Sequence, residues 1–247
     1  MRNKTFRKKK VIHGIIIFIV ISVLFATAGP QQDNSQLITI STYAHLSIYI
    51  KPGPSFNFIL HSLFFSLKRP ATIACWLETA NGKYVETIFA SHNAMKGEWY
   101  GHPDGQPGAL PVWSHKIADK KTDAITGATP RVGDNFVTND KSVIPAGNYL
   151  VKFEVNNPYD YNDAFPKNLP KNDPHFSGDN GQPSLVYEGQ LEIGKHSCST
   201  SLKLIGAGAQ NGQDGDIHGL SGITSALKII EGIDARYQFY SQSGFTE

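Results

Sequence analysis

Cysteine is scarce in this chain, at two residues in 247, and the two stand far apart at Cys75 and Cys198. With no Cys-x-x-Cys pair, haem attachment through Cys-x-x-Cys-His and dithiol exchange drop out. The chain also lacks a His-Glu-x-x-His pair, a Gly-x-Ser-x-Gly elbow and a phosphate-binding glycine loop, so zinc hydrolysis, serine hydrolysis and nucleotide binding lack their usual residues. Ser225-Ala226-Leu227-Lys228 matches Ser-x-x-Lys of penicillin-binding enzymes. Neither companion motif is present, so it reads as an ordinary helix surface. A basic excess is missing too, once the first ten residues are set aside. Six of the 23 Lys and Arg residues lie there and none of the 21 acids, which leaves 17 basic against 21 acidic residues, a net charge of −4. Nucleic acid is therefore excluded as a partner, because it needs a basic stripe on the folded part.

What is present begins with those six residues, Arg2, Lys4, Arg7, Lys8, Lys9 and Lys10, which run into the apolar stretch 14–26. Ala26-Thr27-Ala28-Gly29 closes it with the small residues that a signal peptidase cleft admits. Residues 1–28 are expected to be a signal peptide cut after Ala28. An uncleaved anchor is the rival, since residues 11–28 number 18 and a spanning helix needs about 17–25. His13, Ser22 and Thr27 interrupt the stretch and favour cleavage. Either way the basic cluster stays cytoplasmic and the rest is exported. The expected location is the periplasm or extracellular space, or the inner membrane facing the periplasm, with membrane contact only through this N-terminal segment. An oxidising compartment permits a Cys75–Cys198 disulfide, while the apolar run around Cys75 equally fits an inert buried thiol.

After a polar linker at 29–35, short alternating segments separated by turn residues predict one antiparallel β-sandwich domain over 36–247. The clearest strand is 148–156, with Tyr149, Val151, Phe153 and Val155 on one face and Leu150, Lys152 and Glu154 on the other. Residues 72–79 alternate likewise, and Asn81-Gly82 predicts a hairpin to a partner at 84–91. Further strands are expected at 37–50, 184–193, 201–205 and 237–240. Residues 56–67 read as strand, although the apolar run within them fits a buried helix as well. Ser221 could cap a short C-terminal helix through Ile230, with Ile223, Leu227 and Ile230 on one face. The expected class is thus mainly β, an immunoglobulin- or fibronectin-like sandwich. Two long polar loops, 157–182 and 206–222, exceed the length at which unstructured connections are usually functional or disordered.

The segment most suggestive of chemistry is Lys-Thr-Asp-Ala-Ile-Thr-Gly-Ala-Thr-Pro-Arg at 121–131. Asp123, Thr126, Gly127, Ala128 and Thr129 resemble the site at which exported bacterial flavoproteins accept covalent flavin mononucleotide (FMN). A transferase must bring its nucleotide and metal up to one hydroxyl, and Gly127 and Ala128 leave room for that approach. The resemblance implies Thr129 as the acceptor, with the flavin carrying the electrons. The flavin site has a second hydroxyl residue two places beyond the acceptor, where this chain has Arg131. The same residues also read as a polar turn whose Asp caps backbone N–H groups.

A broader resemblance rests on residues 70–78, 83–88, 123–130, 144–149 and 181–187. They look like the predicted periplasmic family called domain of unknown function 2271, from about Pro70 to the C-terminus. The likeness implies export and a neighbourhood of flavin transferases, and assigns no reaction. The expected function is a non-enzymatic accessory or binding protein beside flavin-dependent redox systems, with a flavin transferase or membrane redox protein as partner. The alternative is an electron carrier with FMN on Thr129.

Asn211, Asp214 and Asp216 sit among glycines and could offer oxygen ligands to calcium. Their spacing departs from an EF-hand, since the twelfth position from Asn211 is Gly222, and a solvated turn accounts for them as well. No two of the eight histidines beyond His13 stand at i, i+4. Trp99, Tyr100 and Trp113 offer either a shallow surface for a sugar or peptide, or corner packing.

Overall fold

In the computed structural model of the chain, residues 38–61, 66–96, 106, 108–117, 125–127, 136–137, 144–170, 173 and 176–245 are described. The signal peptide and linker expected at 1–35 lie outside them. None of the described helices is long and apolar enough to cross a membrane.

The chain is mainly β, with antiparallel sheets packed face to face. Six strands form the larger sheet, in the order β11 (Lys203–Ala207), β9 (Leu185–Ile193), β8 (Gly147–Asn156), β4 (Thr72–Thr79), β5 (Tyr84–Ser91), β6 (Ile125–Gly127). All its pairs are antiparallel except β5 with β6. The smaller sheet runs β10 (Cys198–Ser201), β12 (Ile230–Phe245), β1 (Ile38–Pro52), β7 (Phe136–Val137). A separate ribbon pairs β2 (Asn57–His61) with β3 (Ser66–Pro70).

The period of two explains the core. Val151, Phe153 and Val155 of β8, with Ile73, Cys75 and Leu77 of β4, face inward and are essentially buried. They belong to one apolar cluster with Leu46, Ile48 and Ile50 of β1 and Ile233, Ala235 and Tyr237 of β12. Each fully buried large side chain of this kind contributes roughly 1.5–3 kcal/mol. The large sheet's other face is covered as well. There Ala74, Trp76 and Val186 meet Leu110, Val112 and Trp113, the last two from helix α2 (Pro111–Ile117). A shorter helix, α1 (His92–Lys96), follows β5.

Four expectations change. The 56–67 run is neither a single strand nor a helix: β2 ends at His61 and β3 begins at Ser66. The expected C-terminal helix shrinks to a 3-10 turn, Ser225–Lys228, because Gly222 takes φ 77 and breaks any helix begun at Ser221. Leu227 is consequently exposed while Ile223 and Ile230 are buried. The strand expected at 237–240 is the middle of a 16-residue strand that pairs along all of β1. Finally, the strand expected at 201–205 is split at Leu202 between β10 of the smaller sheet and β11 of the larger. Of the two readings left open for the cysteines, free thiols are found. Cys75 sits mid-strand in the core, where burial pushes its thiol well above the usual range, while Cys198 begins β10 and donates to the Glu192 carbonyl at 2.8 Å.

Candidate functional site

Two arrangements of polar side chains stand out, and the first lies under α2. Glu154 points from β8 to the helix-covered face and has no exposed surface. Its carboxylate accepts the Ser184 hydroxyl at 2.6 Å, the Trp113 N–H at 2.8 Å and the Val112 N–H at 3.2 Å. The two amides are first-turn donors that the helix cannot satisfy itself. Burial dominates its titration and pushes it up to about 7, against the opposing pull of those hydrogen bonds. Four residues farther along β4 than Ala74, the partner of Glu154, buried Glu78 accepts the Trp76 indole N–H at 2.9 Å and pairs with Lys116 of α2 at 3.1 Å. Trp113 Nε1 donates to Thr87 at 3.0 Å. These groups clasp α2 to the sheet, and their burial makes them structural.

The second arrangement fixes the long loops. Gln182, only 1 % exposed, joins its own segment to two others. Its carbonyl accepts from Asn156 Nδ2 at 3.1 Å, its Oε1 accepts the Thr224 N–H at 2.6 Å, and its Nε2 donates to Ser225 Oγ at 2.6 Å. Ser225 in turn donates to Asp160 Oδ1 at 2.5 Å, and Asn162 Nδ2 donates to the Gly222 carbonyl at 2.9 Å. Gly181, at φ 66, runs so close to Asp160 that a Cβ there would stand 2.5 Å from the Asp160 carbonyl oxygen. Only glycine fits such an approach.

On this scaffold sits Tyr159, the one non-glycine residue with positive φ among those described, at 63°. Its amide donates to the Asp179 carbonyl at 2.6 Å and its hydroxyl to Asp179 Oδ2 at 3.2 Å. Phe58 of β2 lies 6.0 Å away, ring to ring. Tyr159 is nonetheless 42 % exposed, and Ile59 beside Phe58 is 56 % exposed. Tyr161 donates to the Gly178 carbonyl at 2.8 Å, and burial, with Asp179 nearby, pushes its hydroxyl up to about 12. The chemistry on offer is recognition: aromatic faces and hydrogen-bonding tips held in one geometry.

The residues singled out in the sequence fall elsewhere. Asp123, Ala128 and Thr129 lie outside the described residues. Thr126 and Gly127 belong to β6, opposite Ala90 and Ser91 at the edge of the large sheet. Trp99 and Tyr100 also lie outside, and Trp113 is buried against the sheet, so the proposed aromatic surface cannot include it. In the second loop, Asn211 Oδ1 accepts the Gln213 N–H at 3.1 Å, while Asp214 Oδ1 accepts the Asp216 N–H at 3.0 Å and bonds His218 at 2.9 Å. That bond to His218 holds the Asp214 carboxyl below its usual range. Among the described residues no group of three or more His, Cys, Asp or Glu could hold a metal.

Sequence reasoning missed Glu154 and Tyr159. Glu154 stands on the polar face of the clearest strand, and only the packing of α2 reveals that this face is covered. The signal at Tyr159 is Pro158 before it, which presets a turn.

Residues 67–164 match the model of a family described as "Predicted periplasmic protein (DUF2271)". The matched span reaches from β3 through β8 into the first loop, and so includes β6, α2, Glu154 and Tyr159. It stops short of the 181–187 stretch. No curated protein and no solved structure matches the chain.

Proposed function

We propose that the chain is a non-enzymatic accessory or binding protein of the extracytoplasmic space, working beside flavin-dependent redox proteins and using the Tyr159 loop surface to engage them. The observation that carries the binding role is buried Gln182, whose main-chain carbonyl holds Asn156 and whose side chain holds Thr224 and Ser225, in the loop that also carries exposed Tyr159. A loop fixed before its partner arrives loses less entropy on binding. The location draws on the periplasmic family match, and the redox neighbourhood on the resemblance around Thr129. Binding to a purified, covalently flavinylated periplasmic domain tests the reading. Saturable binding weakened at least tenfold by Tyr159→Ala is expected, and no binding by the unaltered protein would refute it.

A second reading, FMN carried on Thr129, is favoured by one feature: among the described residues, Thr126 and Gly127 lie in the edge strand of the large sheet. Coexpression with a periplasmic flavin transferase should add one FMN mass, lost in Thr129→Ala. An unmodified mass sinks this reading and leaves the first standing.

A further inference from the structure

We infer that the β2–β3 ribbon is a membrane-contact element, which rests Ile59 on an anionic lipid bilayer while Lys68 and Arg69 meet its phosphate headgroups. This contact is additional to the N-terminal segment, and it stands whether or not the Tyr159 surface engages a redox protein.

Charge is segregated along the chain. Between Asp33 and Glu78 there is no acidic residue, although beyond the first ten residues the chain carries 21 acids against 17 basic residues. The Lys and Arg residues of that acid-free stretch are Lys51, Lys68 and Arg69. Lys51 is committed to Glu231 at 2.7 Å. Lys68 and Arg69 are exposed, and neither pairs with an acid among the described residues.

The ribbon sets these two cations among apolar residues. Directly opposite residues of an antiparallel pair share a face, so Ile59 stands beside Lys68, and Phe58 beside Arg69. Ile59 is 56 % exposed, the most open large apolar side chain among the described residues. One step farther from the junction with β4, Leu60 stands opposite Leu67. Among the described residues, β2 and β3 pair with each other and with no strand of either sheet, and a two-stranded ribbon is marginal in water without a further layer. Its base is fixed all the same, because the Ala71 N–H donates to the Phe56 carbonyl at 2.8 Å and Asn157 Nδ2 to the Ser55 carbonyl at 2.7 Å.

A bilayer supplies the missing layer. Cations towards the junction and a leucine pair beyond them match the order of headgroups and acyl chains, and the long Lys and Arg stems let the charges reach phosphate while Ile59 sits deeper. An acidic protein surface would answer the cations and leave the leucine pair unmatched. Each Lys or Arg at an anionic membrane surface strengthens binding about fivefold, so the two together give roughly 25-fold.

An environment-sensitive fluorophore on Ile59→Cys, in a Cys198→Ser background of the full chain, reads the contact locally even where the N-terminal segment already tethers the protein. Vesicles of phosphatidylcholine with phosphatidylglycerol should shift its emission to the blue, and vesicles of phosphatidylcholine alone should not. The same label on Lys195→Cys, just past Ile193 at the end of the large sheet opposite Thr72, should shift in neither. Lys68→Gln with Arg69→Gln should need at least tenfold more lipid for the same shift. No shift at position 59 overturns the contact and leaves an acidic protein as what the cations face. A shift that the double variant leaves unchanged, that phosphatidylcholine alone reproduces, or that the label at 195 shares overturns it as well.

Discussion

Glu154 and Trp113 meet across the outer face of the large sheet, the carboxylate accepting the helix's first-turn N–H at 2.8 Å with neither residue open to solvent. The donors around Glu154 suit the ionised form, yet burial favours the neutral one and wins, raising the group from 4.5 to about 7. A carboxyl whose folded value is raised binds protons more tightly in the folded state, so the protein loses stability as pH climbs from about 4.5 to about 7. The loss from this group is on the order of 3 kcal/mol. Glu154→Gln cannot ionise, and it should flatten this segment of the profile. Urea unfolding at pH 5 and pH 8 checks it, and an unchanged pH slope in the variant rules out Glu154 as the source.

Lys116→Met tests the other half of the clasp. It leaves the Glu78 carboxylate buried with the Trp76 N–H as its one partner among the described residues. A fully buried pair loses about 3–5 kcal/mol when one member is removed. Lys116 is one-third exposed, so water screens the pair and a loss of roughly 1–3 kcal/mol is expected. A variant as stable as the parent would show that the pair does not hold α2.

Gly181→Ala should be severe for its size. The added methyl meets the Asp160 carbonyl at 2.5 Å, and the backbone must keep φ 66. Destabilisation of at least about 2 kcal/mol is expected, read from the denaturation midpoint. A neutral result would mean that the 160–181 approach is looser than described.

Tyr159→Gly should separate folding from recognition. Glycine accepts φ 63 freely, and that gain of about 1–2 kcal/mol offsets the lost contact with Phe58 and the Asp179 bond. Stability should therefore stay within about 1 kcal/mol while partner binding falls at least tenfold. Binding equal to the parent's would remove Tyr159 from the recognition surface.

The strands were legible wherever one face is buried and the other is not. Residues 148–156 alternate cleanly, and β8 forms there within one residue at the N-terminal end. The same alternation misled at Glu154, because period two reports which side a residue faces and not what covers that side. The 16-residue β12 was only partly legible, since Asp234, Arg236 and Gly232 interrupt its apolar composition, and it takes its length from pairing with β1. The candidate surface was hardest to see. The loop at 157–182 announced itself by length and composition, but the knot around Gln182 joins residues more than forty positions apart, which no local pattern records. Tyr159 defies local preference outright, as a bulky residue where a type II turn wants glycine.

Amide hydrogen exchange in the loop at 157–182 and at Thr224 tests the preformed surface most directly. The Tyr159, Gln182 and Thr224 N–H groups each have a hydrogen-bond acceptor, at 2.6, 2.8 and 2.6 Å. The partner-free protein should therefore protect all three amides at least a hundredfold over an unstructured chain. Exchange at the unprotected rate would mean that the loops order only on binding, and the surface would not exist in advance of its partner.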